Sequence, residues 1–74
     1  MTIIIDKTKD AVITALKSSL VKNSTSKLYI VRDGTSSIVS GVIYTEKNNI
    51  LEVILSTNKT SLTVRDTDSI ELRS

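Results

Sequence analysis

The apolar positions of this 74-residue chain change their period from 3.6 to 2 after Asn23, and that change divides most of the chain in two. Thr2 to Ile5 reads as a short strand. After it, Val12, Ile13, Leu16 and Leu20 fall at i, i+1, i+4 and i+8, the spacing of one face of an amphipathic helix, while Thr14, Lys17 and Ser18 take the other side. Val12, Leu16 and Leu20 are expected to face a sheet. Asp6 or Thr8 supplies the N-cap, since either side-chain oxygen can accept from a free amide of the first turn, and Asp10 suits the positive end of the helix dipole. The pattern runs to about Lys22, and Asn23 marks the stop.

Beyond Asn23 the period falls to two. Strands are expected at residues 27–32, 38–45, 50–56, 62–65 and 70–73. Between them lie the turn signals Asp33-Gly34, Lys47-Asn48-Asn49, Thr57-Asn58-Lys59 and Asp66-Thr67-Asp68. Glycine accepts the positive φ of a tight hairpin, and each connection is too short for a parallel crossover. The pattern predicts an α+β fold: one domain, residues 1–74, with one amphipathic helix packed on an antiparallel β-meander of about five strands. Gly41 falls inside a strand, where glycine marks a bulge or a close backbone approach.

Two of the strands look apolar on both faces. In residues 50–55, Leu51, Val53 and Leu55 alternate with Ile50, Glu52 and Ile54. In residues 38–44, strict alternation sets Ile38, Val42 and Tyr44 on one face and Val39 and Ile43 on the other. An antiparallel sheet with one wet face alternates more cleanly than this. One helix covers one face, so a second cover is needed: a sheet closed on itself or another protein molecule. The pattern nominates Val39, Ile43, Ile50 and Ile54 as an interface between chains.

Composition narrows the chemistry. A chain this short buries only ~60% of its unfolded surface, and small scaffolds often add disulfides or a metal. Here there is neither cysteine nor histidine, which removes disulfides and the usual zinc and copper ligands. Serine and threonine fill 21 positions, but they interleave with Ile, Val and Leu as strands do, so the chain does not read as disordered. No apolar stretch is long enough for a membrane helix or a signal-peptide core, which leads to the expectation of a soluble, cytoplasmic protein.

No constellation for catalysis emerges. Serines lack a histidine to activate them, and Ser18 or Ser19 with Lys22 reads better as polar helix surface. Asp66, Asp68 and Glu71 begin like an oxygen-rich calcium loop but lack its central glycine and distal glutamate, so turn-stabilising aspartate is the expected role. The two glycines, Gly34 and Gly41, form no phosphate loop. The expectation is a non-enzymatic protein with no cofactor and no metal.

Charge offers the alternative. The net charge is +2, and residues 1–31 carry five lysines against two aspartates. Lys9, Lys17, Lys22 and Lys27 are candidate phosphate contacts for a weak, charge-driven nucleic-acid binder, with Tyr29 and Tyr44 as the sole stacking platforms. A solvated helix face is the plainer account of those lysines. The leading expectation is therefore assembly or protein binding through an apolar sheet face, by self-association or with another protein and without a membrane. Such a chain fits a viral or mobile-element accessory protein, and a small bacterial protein equally well.

Overall fold

The computed structural model describes all 74 residues. β1 (Thr2–Ile5) leads into α1 (Lys9–Leu20), followed by β2 (Lys27–Arg32), β3 (Thr35–Thr45), β4 (Ile50–Leu55), β5 (Ser61–Thr63) and β6 (Ser69–Arg73). The six strands form one antiparallel sheet in the order β1-β6-β2-β3-β4-β5, with α1 against it. The fold is α+β, as the pattern predicts. β2 to β5 form the meander. The last strand does not continue it but returns between β1 and β2, pairing with both. The sheet stays open, with β1 and β5 as its free edges.

Local signals account for the turns. Asp33 and Gly34 both take positive φ, 50° and 78°, the conformation of a two-residue hairpin whose twist matches its strands. Asn49 and Lys59 take positive φ in the next two turns, and Asn23 does so just past the helix. Thr8 caps α1, its hydroxyl accepting from the Ala11 amide at 3.4 Å.

The core lies between α1 and one face of the sheet. It comprises Val12 and Ala15 of the helix with Leu28, Ile30, Val39, Leu51, Val53 and Ile70 of the sheet. Leu16 packs against it from the side, but Leu20, expected to face the sheet, is 66% exposed. At ~100° per residue, Leu20 lies about 80° round the helix from Val12, whereas Ser19 lies within about 20°. Ser19 takes the half-buried place, its hydroxyl donating to the Leu16 carbonyl at 2.7 Å. The buried stripe thus runs through 12, 15, 16 and 19.

β3 holds the sheet's main irregularity. Residues 35–38 pair with β2 and residues 39–45 with β4, and the register slips between Val39 and Gly41. Ser40 is the extra residue of a β-bulge, so alternation changes phase there. Val39, Val42 and Tyr44 stand opposite Leu55, Val53 and Leu51, which share one strand face, and Val53 is fully buried. Gly41, Ile43 and Thr45 stand opposite Ile54, Glu52 and Ile50 on the other face. A Cβ on Gly41 would lie 3.0 Å from Ile54 Cδ1, which explains the glycine as a close approach.

Candidate interaction surface

The bulge decides which apolar residues of β3 reach the bare face of the sheet. Val39, expected there beside Ile43, lies instead in the core and is 3% exposed. Its place is taken by Ile38, which pairs with Tyr29 on the side of β2 opposite the buried Leu28 and Ile30. Ile43, Ile50 and Ile54 do share the outer face. Ile38 and Ile43 are exposed at 40% and 43%, while Ile50 and Ile54 are half-buried around Glu52. No helix covers this surface. The signal that could have found Ile38 was Gly41: reading it as a bulge and slipping the alternation by one residue exchanges Ile38 for Val39.

The four candidate lysines are not brought together. Lys9 lies 3.6 Å from Glu46 with its ammonium 5.3 Å from the Tyr44 ring, on the helix side of the sheet. Lys17 is in the last turn of α1, and Lys22 is exposed in the turn beyond it. Lys27 opens β2 in register with Arg73, two residues from Tyr29, on the face away from the helix. The tyrosines are divided likewise. Tyr44 packs against the core and donates to Asn49 Oδ1 at 3.0 Å, whereas Tyr29 carries the Arg73 guanidinium 4.5 Å from its ring centre on the outer face. They do not form one two-ring platform.

The segment Asp66 to Asp68 has a structural geometry. Asp68 is almost wholly buried and receives Arg32 Nε at 2.9 Å, Arg32 Nη2 at 2.7 Å and the Arg65 amide at 2.8 Å. The hydrogen bonds from Arg32 hold its carboxyl at about 2, against an ordinary 3.8; the Arg65 amide adds to this, and burial opposes it. The same pair raises the Arg32 pKa. Arg32 Nη2 also donates to the Thr63 carbonyl at 2.7 Å, and Lys7 donates to the carbonyls of Asp66 and Asp68 at 2.6 and 2.8 Å. These bonds fasten the passage from β5 to β6 across the end of the sheet. Asp68 therefore works as a turn aspartate, with a partner 36 residues away that no local pattern reveals.

No helix is long and apolar enough to cross a membrane. No protein-family model, curated protein or solved structure matches this chain.

Proposed function

We propose that this chain is a non-enzymatic binding protein that holds a protein partner against the outer face of its sheet, around Ile38, Ile43, Ile50 and Ile54. One observation carries the reading: an isoleucine-rich face that no element of the fold covers, on a domain whose core is complete without it. Apolar side chains gathered on one open face mark contact surfaces, because leaving them in water forfeits ~25 cal/mol per Å². Tyr29 with Arg73 gives the patch a polar rim at one side, and Glu52 sets one charge between Ile50 and Ile54.

A photo-reactive side chain at position 43 tests this. It should capture a discrete protein in an extract of the native cell, whereas the same group at Thr57 should not. In the chain carrying that group at position 43, Ile38→Lys combined with Ile54→Lys should abolish capture with the circular dichroism spectrum unchanged. Capture that survives the double substitution, or none from position 43, would refute the reading.

A further inference from the structure

The two free edges of the sheet differ in kind. β5 has three residues, with Lys59 just before it and hydroxyls at Ser61 and Thr63. A short polar edge resists pairing with another strand. β1 carries Ile3, Ile4 and Ile5 and has no proline, lysine or bulge. Ile3 and Ile4 are 49% and 67% exposed. This edge lacks the usual protection.

Its backbone phase is known. Met1 and Ser74 exchange both hydrogen bonds, with the Ser74 amide reaching the Met1 carbonyl at 3.0 Å and the Met1 nitrogen reaching the Ser74 carbonyl at 3.2 Å. Antiparallel pairs alternate between bonded and non-bonded, so Ile3 and Ile5 also bond inward to β6. The amides and carbonyls of Thr2 and Ile4 therefore point outward from the sheet.

We propose that two copies of this chain join through β1, antiparallel about a two-fold axis at Ile4, to make one continuous twelve-stranded sheet, twice the six of one copy. Two features fit a second copy. Pairing Ile4 with the partner's Ile4 satisfies the central outward-facing residue of both copies reciprocally, and sets Thr2 opposite the partner's Asp6, just past β1. The polarity of Thr2-Ile3-Ile4-Ile5-Asp6 is symmetric about its centre, so isoleucine meets isoleucine and the Thr2 hydroxyl meets the partner's Asp6 carboxylate.

A groove of about 510 Å³ lies between β1 and α1, bordered by Ile3, Ile5 and Leu72 on the sheet and by Ala11, Thr14 and Ala15 on the helix. In the pair, the partner's Ile5 and Ile3 stand opposite Ile3 and Ile5 at its open side, where small helix residues leave room. One short edge buries less than the ~800 Å² per partner of a standard interface, so the pairing is a weak one.

Sedimentation equilibrium from micromolar to millimolar concentration should show the mass rising from 8.1 kDa towards twice that value. Ile4→Lys sets like charges opposite each other at the axis and should weaken association about tenfold or more, with the circular dichroism spectrum retained. Ile43→Lys should leave association intact, which separates this edge from the outer face. As a second test, Ile4→Cys should form an intermolecular disulfide under mild oxidation, since bonded antiparallel partners lie about 5.5 Å apart at Cα. Thr57→Cys should not.

A wild-type chain that stays monomeric throughout overturns the proposal, and so does association that ignores Ile4→Lys or fails to oxidise the Ile4→Cys chain. Association lost in Ile43→Lys alone would move the self-contact to the outer face. An extended peptide of another protein seated on β1, without self-association, would likewise reject the second copy.

Discussion

Isoleucine and valine line both faces of this sheet, yet the two faces have opposite fates. On the helix side Leu28, Ile30 and Ile70 are buried at 1% exposure or less, in the cluster that Val12 and Ala15 of α1 complete. On the outer side Ile38 and Ile43 keep 40% or more of their surface in water. The residue types are the same, so β-propensity does not separate the faces. Only the presence of a covering element does. Burial makes the first face the source of stability and leaves the second free for contact.

Substitutions should divide along that line. Leu28→Ala removes a fully buried side chain from beneath the helix and should destabilise the fold by about 2–5 kcal/mol, read from the shift in urea midpoint. A loss under about 1 kcal/mol would mean that α1 does not close over β2 as described.

The ion pair between Arg32 and Asp68 comes next in size. Asp68 titrates at about 2 in the folded chain and at 3.8 when unperturbed, so the folded state favours the carboxylate. Its contribution is therefore complete above pH ~4 and is lost as pH falls towards ~2. Discounted for the contact of Arg32 with solvent, it amounts to roughly 1–2 kcal/mol. Asp68→Asn should lower stability at pH 7 and flatten the stability profile between these two pH values. A variant with an undiminished acid slope would assign that slope to other carboxylates.

Within the helix, Leu16→Ala should cost about 1–2 kcal/mol as a half-buried side chain, below the range for a fully buried one. Leu20→Ala should fall within about 0.5 kcal/mol of wild type. Equal losses at the two positions would show that the buried stripe reaches residue 20 after all. The smallest effect is expected on the bare face. Ile43→Ser should change stability by less than about 0.5 kcal/mol. A loss several times larger would show that this face is packed within the monomer, which ends its role as a contact surface.

Each of these positions also tests what could be read in advance. The amphipathic period placed α1, and Thr8, Asn23 and Asp33-Gly34 marked where elements begin and stop, because capping and positive φ depend on the residue itself. The nomination of Ile43, Ile50 and Ile54 for one face rested on simple alternation, and within β4 alternation holds. It failed for Val39 because a single extra residue, Ser40, reverses the facing of everything before it. Gly41 carried the hint, but a glycine in a strand does not state which way the phase slips.

What the amino-acid sequence determined by itself is local: the helix and strands, their turns, and the surplus of apolar positions over what one helix can cover. Tertiary structure alone decided three things. It placed β6 between β1 and β2, because strand order depends on which edges meet after the chain collapses, and the Arg32–Asp68 bond that fastens this return spans 36 residues. It set the helix stripe at Ser19 in place of Leu20, because the docking angle of α1 selects the residues that touch. And it left β1 at an edge with its amides outward, because no further strand of this chain lies beside it.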